Sequence, residues 1–243
     1  MAFLKIAAVN YINTLPFLQA LEQKFPPEVL EVIPVNPAAC ANKFYNNEVD
    51  MALVPVGSLE HLAPYKIITD YCIGSAGPVD TVALLTNNPL NELKTIFLDT
   101  DSRTSAKLVQ LLCRDYWKLS NINFLPTTED TVDQSGHLYI GDKVKLKENQ
   151  FEFKYDLGEA WTNWTGLPMV YAVWIAKPEV NNKFIGHIND SFQNAIHGLK
   201  DLNLDHVENA AYWKNYILKN IRYYLDDKAL NGLIHFKNLI KSL

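Results

Sequence analysis

The residues of this sequence best suited to chemistry lie just after strand-like runs, and the clearest set opens a helix-like segment. Ser102, Arg103, Thr104 and Ser105 combine three hydroxyls and a guanidinium with the free N–H groups of a first helical turn. Arginine is scarce, since only three occur in 243 residues. We therefore predict an anion site in which an Arg103–carboxylate contact contributes roughly 1.5–3 kcal/mol. An ordinary capped helix with a solvated arginine is the alternative.

Two further clusters add candidate ligand contacts. Asn13 lies in the polar stretch 10–14, where its amide either faces a ligand or caps a helix. Residues 72–78 place two glycines around Ser75, so that backbone N–H groups and a hydroxyl could converge on an anion. A plain turn between strands explains the same residues. Asn13, Ser75 and Gly74 are therefore candidates that each have a structural alternative.

The segment from Asp156 to Trp174 carries two tryptophans ahead of an apolar, strand-like run. We predict that it forms a wall of the ligand site beside a crossing point between two lobes, with Thr165 and Gly166 lining the site. Core filling is the alternative for the tryptophans. Of the two, Trp164 is predicted to be the more structural.

No familiar catalytic or cofactor signature accompanies these clusters. The sequence lacks a G-x-S-x-G elbow, a phosphate-binding loop and a dinucleotide fingerprint. The six histidines and three cysteines show no metal-ligand spacing, so we predict neither a metal nor a cofactor. Asp142, at the end of another strand-like run, either caps a helix or faces the ligand.

The order of the predicted elements indicates an α/β protein. Strand-like and helix-like segments alternate through most of the chain, and everything from Glu179 onward is predicted to be helical. If this helical tail packs on the first strands, residues 1–85 and 172–243 form a discontinuous first lobe and residues 86–171 an inserted second lobe. The ligand would then lie in a cleft at the carboxyl ends of the strands.

Helix starts are the most definite local predictions. Asn36 is predicted to cap a helix that has Pro37 at its first position. Ser58 is predicted to cap a short helix reaching Ala63, and Ser102 to cap a longer amphipathic helix.

Composition narrows the class of protein. Apolar residues make up 48% and charged residues 20% of the chain, as in ordinary globular proteins. The net charge of -5 and the absence of basic clusters argue against nucleic acid as a partner. No targeting segment or membrane-spanning run is visible, and the unpaired cysteines are typical of a reducing compartment. We expect a cytoplasmic protein that binds a small anion; its oligomeric state is not predicted.

The polar clusters, taken in order, resemble the menaquinone-biosynthesis MqnA family, the chorismate dehydratases of the futalosine pathway. Five motifs at this chain length make the resemblance specific. They are Val9-Asn10-Tyr11-Ile12-Asn13-Thr14-Leu15-Pro16, Ile73-Gly74-Ser75-x-Gly77-Pro78-Val79, Ser102-Arg103-Thr104-Ser105, Ile140-Gly141-Asp142, and Asp156-Leu157-Gly158-x-x-Trp161 through Thr165-Gly166-Leu167-Pro168.

The resemblance implies a two-lobe, type II periplasmic-binding-protein-like fold used as an enzyme. Its implied reaction removes water from chorismate to give 3-[(1-carboxyvinyl)oxy]benzoate. Asn13 matches the family's active-site asparagine and Ser75 the serine of its turn, while residues 102–105 match its anion-binding helix start. The implied partner is thus chorismate, and no base is assigned.

The sequence departs from the family pattern at Ala76 and Asp80, and at Val144-Lys145 after the fourth motif. Two other functions stay open. A non-catalytic binding or sensor protein for a small carboxylate would share the fold. So would dihydroxynaphthoate synthase, but the Pro-Asn-Asp-Thr-type motif of that family is absent here.

Overall fold

Short apolar strands and helices alternate along the chain in the computed structural model, which describes residues 3–62, 64–99, 101–127, 133–205 and 207–243. The strands are β1 Leu4–Val9, β2 Leu30–Val35, β3 Met51–Pro55, β4 Lys66–Ser75, β5 Val82–Thr86, β6 Thr95–Leu98, β7 Asn123–Pro126, β8 Ser135–Ile140, β9 Phe153–Asp156, β10 Met169–Ala176 and β11 Arg222–Tyr224. The α-helices are α1 Leu15–Lys24, α2 Pro37–Tyr45, α3 Arg103–Leu111, α4 Asp142–Lys147, α5 Leu157–Thr165, α6 Asn182–His197, α7 Ala210–Lys219 and α8 Asp227–Ile240.

Two sheets form the centres of two lobes. The first has the order β11-β4-β10-β3-β1-β2, and the second has the order β7-β6-β8-β5-β9. In the first sheet β1 pairs in parallel with β2 and β3, while β10 runs antiparallel between β3 and β4. Because β10 is the strand that returns from the second lobe, it is buried along its whole length. The α/β two-lobe prediction is confirmed.

The chain crosses between the sheets twice. It leaves the first sheet after Ser75 and enters the second at Val82; it leaves the second after Asp156 and returns at Met169. The predicted lobe boundaries at 85/86 and 171/172 therefore fall inside β5 and β10. Strand pairing explains this difference. All of β5 pairs with β8 and β9 of the second sheet, and β10 pairs with strands of the first.

Several local predictions are confirmed by cap geometry. Asn36 accepts a hydrogen bond from the Ala39 N–H at 2.8 Å and Pro37 opens α2. Ser102 accepts one from the Ser105 N–H at 3.2 Å. The predicted cap at Ser58 is wrong: the residue lies inside a 3-10 helix over Val56–His61 that begins after Pro55 and has no side-chain cap.

Other local predictions are wrong. The tail is not wholly helical, because β11 adds an antiparallel edge strand beside β4. The polar part of the tryptophan segment is not a loop but helix α5, whose residue Gly166 ends it in the left-handed conformation. Ala63 and His206 lie outside the described residues.

One continuous hydrophobic core runs through both lobes, and a small second cluster covers the far side of the second sheet. Aromatic rings dominate the first lobe, where Phe17 meets Trp174 edge-on at a centroid distance of 5.7 Å and Phe192 at 4.5 Å. Such packing fixes α1 and α6 on the first sheet. Among the described residues, no helix has the length and apolarity that crossing a membrane requires.

Helix α8 approaches the second crossover so closely that only glycine fits at residue 232. A Cβ there would collide with the carbonyl oxygen of Pro168, whereas a Cβ at Gly186 of α6 would meet no atom within 4 Å. We predict that Gly232→Ala destabilises the protein by about 1–3 kcal/mol through overpacking. The matched control Gly186→Ala should stabilise it by about 0.5–1 kcal/mol. Urea denaturation of both variants measures this; equal effects would contradict the close packing.

Candidate functional site

A cleft between the two lobes lies at the carboxyl end of β1, where Val9 and the residues after it form part of its wall. The free space in it, open solvent at its mouth included, is about 580 Å³. The cleft is lined by residues of both lobes, including residues of strands next to the two crossovers. They are Val9, Tyr11, Asn13, Thr14, Pro37, Leu53, Pro55, Ile73, Val79, Thr81, Val82, Ser102, Thr104, Ser105, Ile140, Gly141, Tyr171 and Ala172.

The N-terminus of α3 forms one side of this cleft and is fixed by hydroxyl hydrogen bonds. Ser102 Oγ donates to Ser105 Oγ at 2.8 Å, so the proton of Ser105 is left to donate elsewhere. Thr104 Oγ1 donates to the Tyr171 carbonyl at 2.9 Å and accepts from the Gly57 N–H at 3.1 Å. The second lobe is thereby held to two elements of the first.

Arg103 points away from the cleft, contrary to the sequence prediction. Its guanidinium Nη2 donates to Asn42 Oδ1 on α2 at 2.9 Å, and the side chain does not line the cleft. Neighbouring positions of a helix face different directions. Ser102, Thr104 and Ser105 line the cleft, whereas Arg103 contacts α2 of the first lobe.

Asn13 faces the cleft with both ends of its amide oriented. Nδ2 donates to the Tyr216 hydroxyl at 3.1 Å, and Oδ1 accepts from the Thr14 hydroxyl at 3.2 Å. Its backbone carbonyl accepts from the Tyr223 hydroxyl at 2.9 Å. One N–H and one lone pair of the amide stay available to a ligand. The residue is not the helix cap, since the segment Ile12–Thr14 is a 3-10 turn leading into α1.

Tyr11 reaches across the cleft from the first lobe to the second. A Cβ on Gly141 would lie 3.7 Å from its ring carbons, and Gly141 itself has φ +59°, which favours glycine. Burial, followed by the negative charge of Asp99, raises the pKa of Tyr11 to about 12. The phenol is therefore a neutral hydrogen-bond donor at ordinary pH.

Ser75 and Gly74 lie behind the cleft wall, because β4 continues through both instead of ending before them. The fully buried Ser75 hydroxyl lies 3.4 Å from the hydroxyl of Tyr171, which does line the cleft. A Cβ on Gly74 would approach the Met169 carbonyl oxygen to 2.7 Å. Gly74 thus permits close strand pairing, and the predicted nest of backbone donors is not formed there.

The other predicted binding residues also lie outside the cleft lining. Thr165 Oγ1 donates to the Trp161 carbonyl at 2.9 Å in the last turn of α5, and Gly166 ends that helix. Asp142 is an exposed first residue of α4, next to Gly141, which does line the cleft. Their positions follow from helices α4 and α5, which hold these residues outside the cleft lining.

The more structural of the two tryptophans is Trp161, not Trp164 as predicted. Trp161 is fully buried and donates from Nε1 to the Pro168 carbonyl at 3.3 Å, so it is a core residue under the second crossover. Trp164 is half-buried and stacks on Tyr116 at a centroid distance of 6.3 Å. Neither indole lines the cleft.

Asp156 links the two crossovers through its carboxylate. Oδ1 accepts from the N–H groups of Gly158 and Glu159 at 2.9 and 3.0 Å, which caps α5. The carboxylate also accepts from the N–H groups of Val79 and Asp80 at 3.1 and 2.6 Å. The first crossover is thereby fastened to the start of the second, beside the cleft residue Thr81.

Asp80 forms an ion-pair network at the cleft margin. Its carboxylate accepts from Lys154 Nζ at 2.5 Å and from the Tyr212 hydroxyl at 2.5 Å, and Lys145 Nζ lies 3.2 Å away. Burial opposes ionisation of Asp80, but the hydrogen bonds from Lys154 and Tyr212 outweigh it and lower the pKa to about 2. Asp80 and Lys145, both departures from the family pattern, thus pair with one another.

The cleft lining is uncharged. Within the part of the chain that the structure describes, no Asp, Glu, Lys, Arg or His lines it, and no group of three or more His, Cys, Asp or Glu is placed to hold a metal ion. Its polar groups are hydroxyls, one carboxamide and the first turn of α3, whose N–H groups have no intrahelical acceptors. Such a site can bind an anion through the fixed dipoles of its hydroxyl, amide and N–H groups, without an oppositely charged side chain.

Four lining tyrosines and threonines were missed by the sequence reasoning: Tyr11, Thr14, Thr81 and Tyr171. Tyr11 and Thr14 belong to the same polar stretch as Asn13, so their position next to it in the sequence could have indicated that they line the cleft. Thr81 and Tyr171 occur in apolar strand-like runs and carry no such signal.

The fold and cleft together define a two-lobe protein of the periplasmic-binding-protein-like class. Protein AF1704 from Archaeoglobus fulgidus is similar over 98% of this chain and 97% of its own, with a TM-score of 0.75 and 12% identity. The alkanesulfonate-binding protein SsuA from Xanthomonas axonopodis pv. citri, bound to MOPS, matches with a TM-score of 0.70 and 10% identity, over 100% of this chain and 93% of its own. The Candida albicans protein CA3427, described as having the generic periplasmic binding protein fold, matches with a TM-score of 0.61 and 13% identity, over 100% and 91%.

Sequence comparison gives the family. The model of the menaquinone biosynthesis family matches residues 4–241, nearly the whole chain. The chain therefore belongs to the menaquinone biosynthesis family.

Loss of the Asp156 carboxylate should cost more than loss of an ordinary helix cap. We predict that Asp156→Ala destabilises the protein by two to three times as much as Asn181→Ala, whose cap side chain accepts only from Lys183 N–H. A single cap contributes about 1 kcal/mol, and Asp156 additionally satisfies the N–H groups of Val79 and Asp80. Chemical denaturation of both variants decides; equal losses would show that the link to the first crossover contributes nothing.

The lowered pKa of Asp80 predicts an acid-dependent contribution to stability. The carboxylate stabilises the fold fully above its ordinary pKa of 3.8, and the contribution is lost as pH falls toward the folded-state value of about 2. Asp80→Asn should therefore be less stable than the wild type at neutral pH, and the two should converge near pH 2. Denaturation across this range tests the prediction, and a pH-independent difference would contradict it.

Proposed function

We propose that this protein is a chorismate dehydratase, a cytoplasmic hydro-lyase that converts chorismate to 3-[(1-carboxyvinyl)oxy]benzoate and water for menaquinone synthesis. The observation that carries the proposal is the position of Asn13, the residue that matches the family's active-site asparagine. It faces an uncharged, donor-lined cleft in a member of the menaquinone biosynthesis family. The five sequence motifs support the same reading.

The start of α3 binds a substrate carboxylate in this proposal. Ser105 offers its hydroxyl proton there, since Ser102 donates its own to Ser105 Oγ. The first-turn N–H groups and the helix dipole favour negative charge. Thr104 fixes the helix start in place through its bonds to Gly57 and Tyr171. Arg103, Gly74, Thr165, Gly166 and Asp142 lie outside the lining. The hydroxyls of Ser102 and Thr104 donate within the protein and position the helix start. Among the predicted binding residues, a hydroxyl donated to the substrate is therefore proposed only for Ser105.

Asn13 orients the reacting ring. Its amide has one free N–H and one free lone pair, which can bind the leaving hydroxyl or hold the ring next to it. Ser75 acts through Tyr171, since its hydroxyl lies behind the wall at 3.4 Å from the Tyr171 hydroxyl. It is therefore a positioning residue in this structure.

Dehydration breaks one ring C–O bond and one ring C–H bond, and the products are an aromatic ring and water. The proton needs an acceptor, and the described cleft lining offers no carboxylate, imidazole or amine. Tyr11, with a pKa of about 12, stays protonated near neutral pH. We therefore assign the proton to one of the substrate's own carboxylates, which passes it to the departing hydroxide so that water is released. The rate enhancement comes from alignment and from fixed dipoles.

A non-catalytic binding protein for a small carboxylate is the alternative. The observation that favours it is the similarity in fold to SsuA, which is an alkanesulfonate-binding protein. It predicts saturable binding of chorismate with no chemical change. The dehydratase predicts a product lighter by one water.

The direct test is incubation of the purified protein with chorismate and detection of the aromatic product by mass spectrometry. Asn13→Ala should lower kcat by about a hundredfold, as expected when a preorganised donor is removed. Asn10→Ala is the matched control, because Asn10 is an exposed asparagine of the same stretch that does not line the cleft; it should keep wild-type activity. Wild-type turnover in a folded Asn13→Ala variant would refute the role of Asn13. Binding of chorismate by the wild type without product would favour the alternative.

A further inference from the structure

Three side chains form a hydrogen-bonded chain from Asn13 to a second cleft residue. Asn13 Nδ2 donates to the Tyr216 hydroxyl at 3.1 Å, and that hydroxyl lies 2.7 Å from Thr81 Oγ1. Asn13 and Thr81 both line the cleft, whereas Tyr216 is 1% exposed and lies behind them. These hydrogen bonds join the 3-10 turn that follows β1, helix α7 and the first crossover.

The number of available protons decides which hydroxyl donates in the hydrogen bond between Tyr216 and Thr81. The Tyr216 oxygen accepts from Asn13, so the single phenolic proton needs another acceptor in a fully buried place. Thr81 Oγ1 is the acceptor that the described residues provide. If Tyr216 donates to Thr81, the proton of Thr81 is left over, and the cleft is where a ligand could receive it.

Helix α7 holds the crossover at two consecutive residues. Tyr212 and Tyr216 are four positions apart and therefore share one face of the helix. The Tyr212 hydroxyl bonds Asp80, and the Tyr216 hydroxyl bonds Thr81. Tyr216 is further fixed by an edge-to-face contact with Trp213 at a centroid distance of 5.4 Å. Helix α7 thus sets the position of Thr81 relative to Asn13.

We propose that Tyr216 is a positioning residue that fixes the Asn13 amide and makes Thr81 a hydrogen-bond donor to the anionic substrate. This inference rests on the proposed dehydratase function for the identity of the ligand. It adds Thr81 to the substrate contacts and explains how a residue of helix α7 acts on the reaction without touching substrate.

The test compares kcat and KM for chorismate in Tyr216→Phe, Thr81→Val and Thr81→Ser. Breaking the chain should lower kcat/KM by about ten- to a hundredfold, the range for one hydrogen bond to a charged group. Thr81→Ser keeps the hydroxyl and should retain most activity. The double variant Tyr216→Phe/Thr81→Val should lose no more than the worse single variant, because either substitution breaks the same chain. Losses that multiply, or wild-type kinetics in Tyr216→Phe, would overturn the inference.

Tyr223→Phe separates positioning from mere stability. Tyr223 is buried, and its hydroxyl bonds the Asn13 carbonyl instead of the side chain. Its removal should lower the melting temperature about as much as Tyr216→Phe does and lower kcat less. Equal loss of kcat in the two variants would reduce Tyr216 to a structural role. If Tyr216→Phe fails to fold, Thr81→Val with its Thr81→Ser rescue tests the chain from the cleft side.

A substrate-free measurement separates this inference from the proposed function. The side-chain amide signals of Asn13 can be identified in ¹⁵N NMR spectra as those lost in Asn13→Ala. They should shift in Tyr216→Phe and in Thr81→Val, and stay in place in Thr81→Ser. If the wild type does not dehydrate chorismate, the proposed function fails and these signals decide the inference alone. Asn13 signals that are unchanged in Thr81→Val would overturn it even in an active dehydratase.

Discussion

The hydrogen bonds of the Asp156 carboxylate are the constraint on which the cleft depends. One side chain accepts from two N–H groups of the first crossover and two of the helix that begins the second. A charged acceptor with several backbone donors is stronger than the neutral hydrogen bonds around it. Since Thr81 directly follows the fastened residues Val79 and Asp80, the position of the cleft wall follows from this link.

Charge is kept at the cleft margin and out of its lining. Asp80 pairs with Lys145 and Lys154, while Lys143 pairs with Asp99 at 3.0 Å. Arg103 is occupied by Asn42. In the proposed function, the charge of the substrate is met by hydroxyls, an amide and a helix terminus, which need little reorganisation when substrate becomes product. The same arrangement leaves a substrate carboxylate without a cationic partner, as the proposed role of that carboxylate as base requires.

The sequence supported the local features better than the long-range ones. β6 and β10 begin and end at the predicted residues, and the Asn36 and Ser102 caps are formed as predicted. These depend on neighbours in the chain. The direction of Arg103 was predicted from its rarity, but it depends on Asn42, which lies 61 positions away. Tyr216 reaches Thr81 over 135 positions and Asn13 over 203, and no spacing rule connects such residues.

Two misread segments show how tertiary context overrides local pattern. The tryptophan segment contains Gly158 and Gly166 and reads as a loop, yet the Asp156 cap and burial of Trp161 make it helix α5. Gly74 and Ser75 read as a turn, but pairing with β10 and β11 extends β4 through them. In both cases the signal lies in a partner strand or core contact, not in the residues themselves.

The central claim is that neutral donors of this cleft bind the carboxylates of a chorismate-derived ligand. A crystal structure with 3-[(1-carboxyvinyl)oxy]benzoate bound tests it most directly. The account predicts one carboxylate at the start of α3, within hydrogen-bond distance of the Ser105 hydroxyl and the first-turn N–H groups, and the ring beside Asn13 and Thr81. A carboxylate paired with Arg103, or a ligand outside the cleft, would contradict it.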